Sequence, residues 1–226
     1  MKIAYIFSGH SRTWKQCYES FFENVYADNP GDIFIHTWNK VNSCFGSHWN
    51  GMELTEEQRR ISDTETDING ITEAFRPKQL LVEEDPSIHV NKTDKNVANG
   101  SLFCDFFLRS GKISFLMMKE YGDYDYVFQS RLDIKHTSKI NLETLDRNNF
   151  HITNICQNSN YKAYDFCSFG SIHNMDIKTD FVKHHRQYIP DAFANSAYEL
   201  GLYKYLIEHK MEVCKLSIDF HPVRLF

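Results

Sequence analysis

Lys2-Ile3-Ala4-Tyr5-Ile6-Phe7-Ser8-Gly9-His10-Ser11-Arg12 is the stretch that decides the fold. A short apolar run that ends in a polar, glycine-bearing segment reads as a buried strand stopping at a loop. Ser11 can cap a helix. Trp14, Tyr18, Phe21, Phe22 and Val25 then recur at helical spacing. Asn29-Pro30-Gly31 breaks the chain, and Asp32-Ile33-Phe34-Ile35-His36-Thr37-Trp38 reads as a second strand. Strand, helix and strand in this order make a crossover between parallel strands.

Working outward, residues 39–62 are polar and irregular, with a short helix predicted over Glu56–Ile61. A helix is predicted over 64–75 and a third strand over Gln79–Val82. Glu83–Gly100 is a long polar stretch, and its part from 84 to 100 fits a segment that orders over a bound ligand. Residues 101–120 form the most regular helix, with Leu102, Phe106, Ile113, Leu116 and Met117 as its apolar stripe. Tyr126–Ser130 is a strand ending in Arg131-Leu132-Asp133. Beyond it, Phe150–Thr153 and Phe166–Phe169 are strand-like, 176–187 and 193–208 helical, and Glu212–Phe220 the last strand. The expected class is α/β, with a mostly parallel central sheet flanked by helices. The whole chain, 1–226, is expected to form a single domain, with 1–135 its nucleotide-binding half and 136–226 its acceptor half.

Composition narrows the function. Twenty-five Lys and Arg against thirty Asp and Glu leave a net charge of −5, which argues against coating nucleic acid. No apolar run approaches the ~20 residues that span a bilayer. The opening apolar run, Ile3 to Phe7, is too short for a secretion signal, so a cytoplasmic protein is expected. Six cysteines show no CxxC or zinc-type spacing, and free thiols are the expectation. Aromatic residues make up 15%, enough to fill large cores, and such rings also stack on flat ligands.

Four places could carry chemistry. The loop Ser8-Gly9-His10-Ser11-Arg12 follows the first strand, where ligands of open α/β sheets bind. Gly9 lets backbone approach a ligand, and an Arg beside a helix start suits a phosphate. The loop is equally readable as a turn and a cap, and no GxGxxG or P-loop pattern is present. Ser130-Arg131-Leu132-Asp133 sets two charges at a strand end. On extended backbone Arg131 and Asp133 point the same way, the one able to face a phosphate and the other a hard cation. They could equally pair to close a loop, and Asp123 and Asp125 lie just upstream. Asp165, before Phe166-Cys167-Ser168-Phe169-Gly170, and Glu199, on an apolar helix, are candidate bases. His221 follows the last strand and could complete a metal site with Asp133. His184 and His185 are helical neighbours that point apart and form no chelate.

As an ordered set these residues resemble a known family. Ile3 through Trp14, then Glu19-Ser20, Asp32 through Trp38, a helix with Arg109-Ser110-Gly111-Lys112, and Tyr124-Asp125-Tyr126-Val127-Phe128-Gln129-Ser130-Arg131-Leu132-Asp133-Ile134 look like the small GT-A-type glycosyltransferases of bacteria and large DNA viruses. In these the strand before the metal site typically reads YDYVIRxRxDL. The resemblance covers roughly residues 1–175. It implies a GT-A (nucleotide-diphospho-sugar transferase) fold and a sugar moved from a nucleotide sugar, a UDP-sugar by preference, to a glycan or other hydroxyl acceptor. In the family a DxD motif binds Mn²⁺ or Mg²⁺, which grips the donor diphosphate. Here Arg131 stands at the first Asp position, so Asp133 is the carried-over metal ligand, with His221 as the last one. Ser8, Gly9, His10, Arg12, Thr37, Trp38, Lys112 and Arg131 are the implied donor-binding residues, and Asp165 and Glu199 the implied catalytic carboxylates. Two rival readings stand beside this: a non-catalytic nucleotide-sugar-binding or interaction domain, and a nucleotidyltransferase, which would want a Gly-rich basic loop after the first strand.

Overall fold

The computed structural model describes residues 1–42, 55–86, 101–153, 155–156, 162–163, 166–189, 197–216 and 219–223. In chain order the elements are β1 (Ile3–Ser8), α1 (Trp14–Phe21), β2 (Asp32–Trp38), α2 (Glu56–Ser62), α3 (Ile68–Phe75), β3 (Gln79–Glu83), α4 (Ser101–Glu120), β4 (Tyr126–Ser130) and β5 (Ile134–His136). Then come β6 (Phe150–Ile152), β7 (Ile155–Cys156), β8 (Lys162–Ala163), β9 (Ser168–Ser171), α5 (Ile172–Tyr188), α6 (Ala197–Glu208), β10 (Val213–Lys215) and β11 (Phe220–Pro222).

Seven strands make one sheet in the order β10-β6-β9-β4-β1-β2-β3. β4, β1, β2 and β3 pair in parallel, and β10 pairs in parallel with β6. β9 alone runs against its neighbours. This is a mixed α/β fold with a largely parallel sheet flanked by helices. Two short antiparallel ribbons, β5–β11 and β7–β8, stand outside the main sheet.

The centre of the sheet explains why β1 reads as continuous apolar sequence. Successive side chains alternate faces, and both faces are covered, so all six residues are buried. Ile3, Tyr5 and Phe7 enter the core under α1 and α3, with Phe21, Phe75 and Phe128. Ala4 and Ile6 enter the second core under α4, α5 and α6, with Phe34, Phe115, Val127 and Phe181. Much of the aromatic content is spent here, as at the edge-on pair Phe7–Phe21, 4.9 Å between ring centres. Among the described cysteines Cys17, Cys167 and Cys214 are free thiols.

Several expectations need correction. α3 starts at Ile68, not 64, because the Asp67 carboxylate accepts from the Gly70 N–H at 2.9 Å and so caps the first turn. Ser11 does not cap α1. Thr13 occupies the cap position, and the Ser11 hydroxyl meets the Thr66 hydroxyl at 3.1 Å instead. After Phe21 the helix widens into one π turn, Phe22–Tyr26, where Asn24 reaches across to the His136 carbonyl. The stripe of α4 is the predicted one only in part, since Met117 is buried as expected. Leu116 is 46% exposed, whereas Leu108, Phe115 and Met118 are buried. Gly111 turns that face to the sheet, since a Cβ there would come within 2.8 Å of the Gln129 amide nitrogen. α5 begins at Ile172, ahead of 176, behind a Ser171 cap that accepts from Asn174 N–H at 3.2 Å. The single strand predicted over Glu212–Phe220 divides. β10 joins the main sheet beside β6, and β11 leaves it to pair with β5. Most of the predicted mobile segment 84–100 lies outside the described residues. Among the described residues no helix is long and apolar enough to cross a membrane.

Candidate functional site

β1 lies between β2 and β4. The chain leaves β1 towards β2 and β3, then returns to place β4 on the other side. That reversal opens a crevice at the carboxyl ends of β1 and β4, where open α/β sheets bind ligands. The loop Ser8–Arg12 and the segment Ser130–Asp133 both end there.

The loop is held from below. Gly9 takes φ +108°, which suits glycine, and its N–H donates to Ser110 Oγ at 3.0 Å. The Ser8 hydroxyl accepts from the Gln129 amide at 3.3 Å, and Gln129 Oε1 accepts from the buried Lys178 ammonium at 2.6 Å. Arg12 sits at φ 35°, rare for a residue with a side chain, and its N–H is tied to the Val41 carbonyl at 3.0 Å. This backbone turns the Arg12 guanidinium onto Asp133, with Nη1 2.9 Å from Oδ2. From the other side Arg131 binds the same carboxylate with two nitrogens, Nε to Oδ1 at 2.8 Å and Nη2 to Oδ2 at 2.5 Å. The Arg131 guanidinium lies 5.4 Å from the Phe166 ring and 5.9 Å from that of Phe107. Asp133 is only 1% exposed. Burial alone would raise its pKa, but the Arg131 and Arg12 charges overrule this and hold it at about 2. Val223 N–H donates to the Asp133 carbonyl and the Thr13 hydroxyl donates to the Val223 carbonyl, so the segment after β11 straps the loop and the strand end together.

Beside this trio a cleft of about 340 Å³ is lined by His36, Trp38, Glu83, Phe106, Arg109 and Ser110, among others. Burial pushes the His36 pKa down, so the ring is neutral. Its Nε2 donates to Glu83 at 3.2 Å, which leaves Nδ1 to accept from the Ser110 hydroxyl at 2.6 Å. Ser110 thus accepts from the Gly9 N–H and donates its hydroxyl to His36. Arg109 reaches the same Glu83 carboxylate at 3.1 Å. His10 packs 4.3 Å from the Trp38 ring and meets Asp85 at 3.3 Å. Burial lowers its pKa too.

The chain matches no family model and no curated protein. Ser8, Gly9, Arg12, Arg131 and Asp133 converge, with His10 and Trp38 beside them. By the two-residue period of β2, Thr37 faces the opposite side from Trp38, and its buried hydroxyl has no hydrogen-bond partner among the described residues. Lys112 faces α5 and pairs with Asp176, at 2.9 Å, and with Asp180. Glu199 is buried on α6, the helix packed against α5. His221 is exposed on the β5–β11 ribbon, in register with Lys135. Asp165 lies outside the described residues. No three His, Cys, Asp or Glu side chains gather at one point among the described residues. With both oxygens of Asp133 taken by guanidinium donors, the described residues do not fit a divalent cation.

Sequence reading missed Ser110, His36, Glu83, Asp85, Gln129 and Lys178. The one available signal was polarity inside otherwise apolar elements, as with Gln129 in β4. Ser110→Ala removes both the acceptor for Gly9 and the donor for His36. It should cost about 1–3 kcal/mol in urea unfolding. A loss within about 0.5 kcal/mol, ordinary for a surface site, would mean that the relay does not hold the loop.

Proposed function

We propose that this chain is a glycosyltransferase that transfers a sugar from a nucleotide sugar, a UDP-sugar first, to a hydroxyl acceptor. The observation that carries the reading is the Arg12–Asp133 contact, 121 residues apart in sequence. It joins the two segments on which the family resemblance rests, at the switch point of the sheet. A diphosphate lying across Gly9 would meet backbone on one side and the Arg12 and Arg131 guanidiniums on the other. As the sugar–phosphate bond breaks, the leaving diphosphate gains negative charge, and fixed guanidiniums stabilise that charge as it develops. The neighbouring cleft, with Trp38 and Phe106 on its walls, offers rings for a base. The anomeric carbon turns oxocarbenium-like and wants a carboxylate to take the acceptor proton. Asp165 and Glu199 are the residues the resemblance proposes for that.

A thermal-shift panel of nucleotide sugars, followed by a transfer or hydrolysis assay, tests this. A ligand at about a hundredfold its Kd adds about 2.7 kcal/mol. In a chain of this size that raises Tm by roughly 5–10 °C. UDP-sugars should give such a shift and turn over. A shift without turnover would favour the non-catalytic binding domain, and no shift with any nucleotide sugar would sink the reading.

A further inference from the structure

We propose that Arg12 and Arg131, locked on Asp133, occupy the role of a divalent cation, so that the crevice binds a diphosphate without metal. The class of ligand rests on the function proposed above; the anion site itself does not.

Asp133 is the residue that a metal reading would make the ligand. A carboxylate binds a cation through oxygen lone pairs left open to it. Here Oδ1 accepts from Arg131 and Oδ2 from both Arg131 and Arg12. A cation on either oxygen would stand beside two guanidiniums that cannot lose their charge. The roles are reversed instead: the carboxylate is the buried counter-ion, and the arginines are the working groups. Two guanidiniums and one carboxylate leave these three side chains with one net positive charge. The arginine side chains keep 12% and 11% of their surface exposed, against 1% for Asp133, so what this trio shows to solvent belongs to the arginines.

The guanidiniums are also pre-set. Arg12 Nε donates to Asn42 Oδ1 at 3.0 Å, and its backbone is pinned at positive φ. Planar guanidinium forks match phosphate oxygens in pairs, as a lysine ammonium does not. Three residues before Arg12 in the same loop, a Cβ built on Gly9 would meet nothing within 4 Å. Gly9 is therefore spared by no packing neighbour; its conformation faces open space of the kind an anion can fill.

The test is calorimetric titration of the full chain with inorganic pyrophosphate and with UDP, in EDTA and then with Mn²⁺. Both anions are expected to bind in EDTA, since no charge at the site depends on the cation, with Mn²⁺ changing the apparent affinity only as far as it complexes the free anion. Arg12→Gln and Arg131→Gln should each weaken pyrophosphate binding by about tenfold or more, and Arg→Lys by less, because the charge stays while the fork is lost. Should either Gln variant fail to fold, the comparison in EDTA and Mn²⁺ on the unmodified chain decides alone. UDP binding that vanishes in EDTA and returns with Mn²⁺ overturns the inference and leaves the transferase reading standing. Pyrophosphate binding in EDTA with no binding of UDP keeps the anion site and removes the nucleotide ligand. Binding of neither anion overturns both.

Discussion

Asp133→Ala should destabilise the chain by about 3–5 kcal/mol, because it deletes the carboxylate that two partly buried guanidiniums share. Asp133→Asn should cost less, since it keeps the shape and one acceptor oxygen. The pH profile separates charge from packing. The Asp133 pKa is about 2 in the folded chain, below its ordinary value of 3.8. Its contribution is therefore fully present above about pH 4 and lost as pH falls towards 2. That contribution is on the order of 2–3 kcal/mol. Urea unfolding at pH 6 and pH 3 should show the gap between parent and Asp133→Asn shrinking at the lower pH. A gap that does not change would mean that the carboxylate charge contributes nothing and that only packing was lost.

The second large effect lies at His136. Its ring is 1% exposed, between Phe21 and Phe128, and neither nitrogen has a hydrogen-bond partner among the described residues. Burial drives its pKa from 6.5 down to about 3. An unfolded chain takes up a proton there below about pH 6.5, whereas the folded one does not until about pH 3. Folding is therefore penalised progressively across that window, by about 1.4 kcal/mol per pH unit. His136→Leu, close in volume and with no polar atom, should match or exceed the parent at pH 7. At pH 5 it should exceed the parent by a further ~2 kcal/mol. Parallel pH profiles for the two proteins would refute the claim that this imidazole stays neutral when folded.

How much of this could be read beforehand depends on the range of the interactions. β1, β2 and β4 were legible because a strand covered on both faces must be apolar throughout, and Ile3–Phe7, Ile33–Ile35 and Tyr126–Phe128 are. α4 was legible in extent but only in part in phase. Leu116 and Met117 are equally apolar, and only the close approach allowed by Gly111 decides which face turns inward. The split of the last strand was not legible either, since Val213–Lys215 and Phe220–Pro222 find different partners far back in the chain. The same limit governed the site. Arg12, Arg131 and Asp133 stood out locally, as charges at strand ends. Their mutual contact did not, and nor did the chain from Gly9 through Ser110 to His36, because a buried serine in a helix looks like any solvated one until a partner 101 residues away is placed against it.

The strap after β11 has a consequence for the order in which the molecule is made. Thr13 is synthesised well before its partner, since its hydroxyl donates to the carbonyl of a residue 210 positions later. β1, β2, β3 and β4 can assemble from the earlier part of the chain, each finding its neighbour as it emerges. Phe220–Pro222 must be synthesised before β5 gains its partner, and Val223 before the Asp133 carbonyl receives its donor. A nascent chain can therefore carry the paired strands β1 to β4 while the mouth between Arg12 and Asp133 stays unfastened. Contacts this distant close slowly, so binding competence should come after the pairing of β1 to β4, when that part of the chain has already ceased to look unfolded.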